Sequence, residues 1–323
     1  MKIFAALGLW AAVGLGAAAL EKVTIVLDWT VNTNHTGLYV ALAKGYFTQA
    51  GLEVTVEPAP ANGVVGLLAT GKADFAYSYQ EEVVQSRAQG IPVTAVASVI
   101  HNNTSGFASR ASAGITRPKD FEGKRYGGWG SPIEEAILKA LMKADGGDAS
   151  KVKIESLGDL DFFAATEKTV DFAWVFEGWT VQEAAVRGVK LNYLDMSKIA
   201  PVLNEYTPVI VALQAGAAKN PAKTRAFLAA LSRGYQDAAR DPAGAAAVLL
   251  KAAPELNADL VKRSQVYLSP RYQADAKRWG EFDGARWNAF QNWMTGNALV
   301  EGSGVATLAA QKDLFTNAYL PAP

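Results

Sequence analysis

The sequence predicts an α/β protein of two lobes, each a mostly parallel sheet flanked by helices, on three observations. Apolar, β-branched runs alternate with helical patterns through the first third of the chain, and the same alternation starts again near residue 125. Strands and helices in that rhythm are the signature of a parallel sheet. A strand of the first set, Asp74-Phe75-Ala76-Tyr77-Ser78-Tyr79, is echoed in the second by Asp171-Phe172-Ala173-Trp174-Val175-Phe176, with Gln80 matched by Glu177. Length agrees: the chain, less an N-terminal segment, exceeds the roughly 250 to 300 residues at which one core stops growing.

The elements follow in order. Residues 23–27 form the first β-branched run, and Thr36 precedes a helical pattern over 37–44 that Gly45 is suited to end, since the residue after a helix often turns left-handed. A strand is predicted at 52–56, a helix at 64–70, a strand at 74–79, a helix at 81–89 and a strand at 93–100. The second unit reads as strand 125–127, helix 133–143, strand 153–156, helix 162–166 and strand 170–176. A last strand, 209–213, follows Tyr206-Thr207-Pro208, and a helical tail without any motif that reads as chemistry completes the chain. The predicted division is 1–19 as an export signal, 20–100 with 212–323 as one lobe, and 101–211 as the other.

The export signal rests on Met1-Lys2 followed by an uncharged run rich in Ala, Leu and Gly that carries Ala17-Ala18-Ala19. A charged start, an apolar stretch and small residues are the order of a secretory signal, so cleavage is expected after Ala19. A retained anchor is the alternative, because about 20 apolar residues span a bilayer. The sequence has no Cys, which excludes disulfides, thiolate metal sites and a lipid-bearing N-terminal Cys. Its 31 basic and 31 acidic residues leave no footprint for nucleic acid. These features lead us to expect a periplasmic monomer without lipid anchor or cofactor, whose partner is a small, nearly neutral molecule. His35 and His101 are the two histidines, too few for a His-based metal site. No Gly-x-Ser-x-Gly elbow accompanies them, so no enzyme class finds support.

Candidate binding residues cluster where strands give way to loops, the ends at which open α/β sheets hold ligands. Trp29 lies in a polar loop that also carries Asn32 and Asn34; it either stacks on a planar ligand or plugs its own lobe while the asparagines cap the next helix. Trp129 is its counterpart after Gly127-Gly128. Ser131-Pro132-Ile133-Glu134 has the form of a capping box, and the glycines before it would let free N–H groups hold a polar substituent. Glu177, between Phe176 and Gly178-Trp179, would accept from a ligand amine if buried, or else sit exposed on a loop. Tyr77, Tyr79 and Trp174 face either core or ligand, because half of a strand's side chains point each way.

Several segments carry a family resemblance: Leu27-Asp28-Trp29, Asn32-Thr33-Asn34-His35-Thr36-Gly37, Ala43-Lys44-Gly45-Tyr46-Phe47, Gly51-Leu52-Glu53-Val54, Tyr79-Gln80-Glu81-Glu82, Asn103-Thr104-Ser105-Gly106, Gly127-Gly128-Trp129-Gly130 and Asp171-Phe172-Ala173-Trp174. In these the chain resembles the thiamine-pyrimidine synthase-like superfamily of ABC-transporter substrate-binding proteins, and its Asn-Thr-Asn-His form is similar to the pyrimidine-precursor binders. The resemblance implies a periplasmic-binding-protein fold with two crossovers, near residues 98–103 and 207–213. It also implies an ABC permease and ATPase as partners, and a ligand of the formylaminopyrimidine or hydroxymethylpyrimidine type. Relatives take riboflavin, nitrate, taurine or alkanesulfonates. By this resemblance Trp29 would stack on the ring, Glu177 would accept from its amino group, Asn34 with Thr104 and Ser105 would bond ring heteroatoms, and the loop of Gly128 and Ser131 would take a polar substituent. An anion carrier would instead need a cation in the cleft, for which Arg110 and Arg125 are the nearest. Eukaryotic relatives are synthases that consume pyridoxal phosphate and one of their own histidines with a Cys-rich motif. Here there is no Cys, and Tyr77-Ser78-Tyr79 stands where that histidine is expected.

Overall fold

The computed structural model describes residues 19–61, 63–158 and 161–323; the expected export signal, apart from its last residue, lies outside them. Among the described residues, ten strands build two sheets of five. The first has the order β2-β1-β3-β10-β4, from β1 (Glu21–Val26), β2 (Leu52–Glu57), β3 (Phe75–Ser78), β4 (Val93–Ser98) and β10 (Val209–Leu213). The second has the order β7-β6-β8-β5-β9, from β5 (Ser105–Arg110), β6 (Arg125–Gly128), β7 (Lys153–Ser156), β8 (Phe172–Phe176) and β9 (Leu191–Asp195). The two-lobed α/β class is as the sequence predicts.

Each sheet is mixed. β1 runs parallel to β2 and β3, whereas β10 is antiparallel to β3 and β4. β6 likewise runs parallel to β7 and β8, whereas β5 is antiparallel to β8 and β9. The antiparallel member of each sheet is the strand that enters straight after a crossing from the other lobe. The second crossing lies at residues 206–208, ahead of the expected 211/212 division, since Val209, Ile210 and Val211 already pair within the first sheet.

The two crossing segments are tied side by side. Asn103 N donates to Asn204 Oδ1 at 2.8 Å, and Asn103 Nδ2 to Leu203 O at 2.9 Å. Gln80, fully buried, donates to Trp287 O at 3.0 Å and accepts from Tyr206 N at 3.0 Å, so the crossing is fastened to the helix Gly284–Gly296. Arg286 of that helix lies 3.7 Å from the centre of the Tyr206 ring and donates to Asn102 Oδ1 at 2.6 Å. Polar groups buried with partners in this way cost little and fix geometry.

The helical tail packs on the first lobe, and its helix Ala258–Leu268 also reaches the second. Inside the first lobe Tyr235 stacks on Trp279 at 4.5 Å and meets Tyr272 edge-on at 5.0 Å, beneath the face of β3 that carries Tyr77. Burying each such ring stabilises by about 1.5 to 3 kcal/mol. No helix among the described residues is long and apolar enough to cross a membrane.

Candidate functional site

Four strands release their chains toward one cavity. β1 leads to Asp28 and Trp29, β3 to Tyr79, β6 to Trp129, and β8 ends in Trp174 and Phe176. The cavity has a volume of about 380 Å³ and takes walls from both lobes. Trp29, Asn34 and Tyr79 face it from the first lobe, and Thr104, Trp129 and Trp174 from the second, all six among the candidates read from sequence. Trp29 and Trp129 are 45% and 47% exposed, so neither indole is consumed by its own core. Trp129 and Trp174 have ring centres 4.9 Å apart at 39°, an offset pair that forms one aromatic wall.

Five candidates do not reach this cavity, each for a local reason. Tyr77 is fully buried: its hydroxyl bonds that of Tyr235 at 2.8 Å and its ring meets His35 edge-on at 4.8 Å. Ser105 is also fully buried, with its hydroxyl donating to Asn103 Oδ1 at 2.8 Å. Gly128 and Ser131 belong to a loop whose N–H groups already have an acceptor. The Glu134 carboxylate takes Trp129 N at 3.2 Å, Gly130 N at 2.8 Å, Ser131 N at 2.8 Å and the Tyr126 hydroxyl at 2.5 Å. Gly128 makes room for this carboxylate rather than for a ligand, since a Cβ there would strike Glu134 Oε1.

Glu177 is the fifth. A π-helical turn, Glu177–Val181, follows β8 and swings the side chain out to Tyr267, whose hydroxyl donates to Glu177 Oε2 at 2.6 Å. Tyr267 belongs to the first-lobe helix Ala258–Leu268, and Ser264 of that helix also bonds Gly178 O. Glu177 therefore links the two lobes beside the cavity. Burial and the neighbouring Glu177 carboxylate push the Tyr267 hydroxyl upward, so it stays a donor.

Sequence reasoning missed the carboxylates that do face the cavity. Asp28, whose side chain is 6% exposed, lines it and is held by His35, with Nε2 2.8 Å from Asp28 Oδ1. His35 Nδ1 accepts from Asn32 N at 3.2 Å, so the proton on Nε2 points at Asp28. The pairing of Asp28 with a histidine seven residues on was the available signal. Glu81 and Glu205 line an adjoining chamber of about 250 Å³ that shares Tyr79, Trp129, Trp174, Phe176 and Thr207 with the first. Phe162, Phe176 and Trp179 complete the aromatic lining.

Cations are absent from both linings among the described residues. Arg125 pairs with Asp171 at 3.0 Å, and Arg110 donates to Phe163 O at 2.9 Å beside Glu167. Chemically, the site offers flat apolar faces and acceptors, the complement of a planar molecule that carries N–H donors.

Known proteins agree with this architecture. Over 300 residues the chain is 29% identical to a formylaminopyrimidine-binding protein of Halalkalibacterium halodurans, an alignment that covers 89% of each. It is 25% identical over 319 residues to a 4-amino-5-hydroxymethyl-2-methylpyrimidine phosphate synthase of Saccharomyces cerevisiae, covering 94% of this chain and 89% of that one. The periplasmic aliphatic sulphonate binding protein of Escherichia coli superposes with a TM-score of 0.71 at 15% identity, covering 92% of this chain and 94% of that one, a likeness of fold. The family model described as NMT1/THI5 like matches residues 32–245, and the chain belongs to that family.

Proposed function

We propose that the protein is the solute-binding component of an ABC importer and that its solute is a planar, amino-bearing heterocycle of the thiamine pyrimidine-precursor type, held between the lobes. The observation that carries this reading is the lining itself: aromatic rings from both lobes, carboxyl groups, and no cation among the described residues. An anion such as a sulfonate or nitrate would face the carboxyl groups of Asp28, Glu81 and Glu205 with no cation among the described lining residues. A neutral aminopyrimidine stacks on indole faces and donates its N–H groups to Asp28. The relative named as a formylaminopyrimidine-binding protein supports the same ligand class.

Trp29, Tyr79, Trp129 and Trp174 hold the ring in this reading, while Asn34 and Thr104 bond its edge. Closure of the lobes about the crossing segments follows from the ligand's greater affinity for the closed state, as in the hinge motion of periplasmic binding proteins. The protein acts as a monomer outside the cytoplasmic membrane after cleavage behind Ala19, without a lipid anchor, and passes its solute to a permease with its ATPase. We read it as a carrier rather than a synthase, because the sequence has no Cys and Tyr77-Ser78-Tyr79 stands where the histidine of the synthases is expected. Titration calorimetry with hydroxymethyl- and formylamino-pyrimidines, riboflavin and an alkanesulfonate tests the reading. Heat is expected with the pyrimidines and none with the sulfonate; no heat with any planar heterocycle rejects it.

A further inference from the structure

The chamber beside the aromatic walls has a different chemistry from them. Glu205, in the segment that returns from the second lobe, lines it and is only 3% exposed, and its Oε2 has no hydrogen-bond partner. A buried acceptor left unpaired costs about 1 to 3 kcal/mol, so this oxygen is suited to a donor that arrives from outside. Glu81 faces the same chamber from the first turn of the helix Gln80–Ala88. No Lys, Arg or His lines it among the described residues.

We propose that Glu81 and Glu205 form a cation subsite of this cavity, which takes an ammonium-bearing arm attached to the stacked ring and gives up a carboxyl proton as that arm docks. The inference rests on the ring-binding reading above and names the substituent that the ring carries. Two carboxyl groups in a dry chamber cannot both ionise without a counter-ion. When the arm enters, the O–H bond of the protonated carboxyl breaks, the electron pair stays on oxygen as carboxylate, and the proton leaves to solvent. The ammonium then faces a full negative charge.

The surroundings favour this exchange. Burial, followed by the charges of Glu82 and Glu134, pushes the Glu81 carboxyl up to about 7. Burial and the neighbouring Glu81 raise Glu205 as well. Tyr79, the remaining titratable group on the chamber wall, is held neutral by burial. Glu82 itself accepts from the Ser78 hydroxyl. A carboxyl that titrates near 7 competes with the arm through its proton. Affinity for an ammonium-bearing ligand therefore rises with pH, by about tenfold between roughly pH 6 and pH 8.

The test uses the mature protein and two probes with the same ring, an aminomethyl-aminopyrimidine and its hydroxymethyl counterpart, titrated calorimetrically in buffers of different ionisation enthalpy. The aminomethyl probe is expected to tighten about tenfold over that pH range, releasing close to one proton at about pH 6 and little at about pH 8, while the hydroxymethyl probe does neither. Glu205→Gln and Glu81→Gln are each expected to collapse the preference for the amine, with thermal unfolding run alongside to confirm that they fold. Equal, pH-indifferent binding of both probes to the unaltered protein overturns the subsite alone. No heat from either probe removes the ring-binding reading and the subsite with it.

Discussion

Tyr77 and Trp174 stand at the same place in two strands that echo each other, yet one is sealed in a core and the other forms a wall of the cavity. The strands differ little; what covers them differs. Over β3 the tail helix Pro221–Arg240 presents Tyr235, whose hydroxyl bonds Tyr77 and also donates to Asn34 O at 2.5 Å. The tail lays nothing comparable over β8, so Trp174 leans instead on Trp129 and the space in front of it stays open. The residues that close the two echoes diverge in the same way. Gln80 is buried as a fastening of the crossing, whereas Glu177 turns outward to clasp a tail helix. A repeated motif thus acquires its role from the element packed against it.

Substitution can break this comparison. The largest effect is expected from Tyr77→Ala, which opens a cavity under the tail and costs about 3 to 5 kcal/mol in denaturant unfolding. Trp174→Ala is expected to reverse the pattern, losing about 2 kcal/mol of ligand binding, roughly 30-fold by calorimetry, with a smaller loss of stability. If Tyr77→Ala weakened binding while leaving stability intact, the two positions would have exchanged roles and our reading of the cavity would be wrong. Smaller still is the expected effect of Tyr267→Phe, which removes one hydrogen bond between lobes at a cost of about 1 kcal/mol. Affinity should fall about fivefold, and scattering from the unliganded protein should shift toward a more open shape. Unchanged affinity and shape would mean that the Glu177 contact does not contribute to closure.

Much of the fold was legible because its signals are local. The runs at 153–156 and 209–213 coincide with β7 and β10, and Gly45 adopts the left-handed backbone expected of it, with φ of 67°. β5 and β9 escaped notice for physical reasons. Ser105-Gly106-Phe107-Ala108-Ser109-Arg110 has no β-branched residue, and its small side chains serve close strand packing: a Cβ on Gly106 would strike Leu194 O. β9 is an edge strand, half-buried along its whole length, so no alternation marks it.

The site was legible as a set of strand ends but not in its polar detail. Which way Glu177 points depends on a π-helical turn and on a tyrosine 90 residues away. Glu205 lies in a connecting segment with no motif, and only the returning chain brings it opposite Glu81. Local sequence carries propensity and parity; it does not carry the partner that arrives from elsewhere.

The Glu134 carboxylate has one further consequence. By occupying the loop amides with a side chain of its own, the protein carries an internal competitor for that loop, permanently docked. A free sulfate or phosphate meets no vacant amide at Trp129, Gly130 or Ser131. That end of the loop is thereby closed to an outside acceptor at folding, before any solute is encountered.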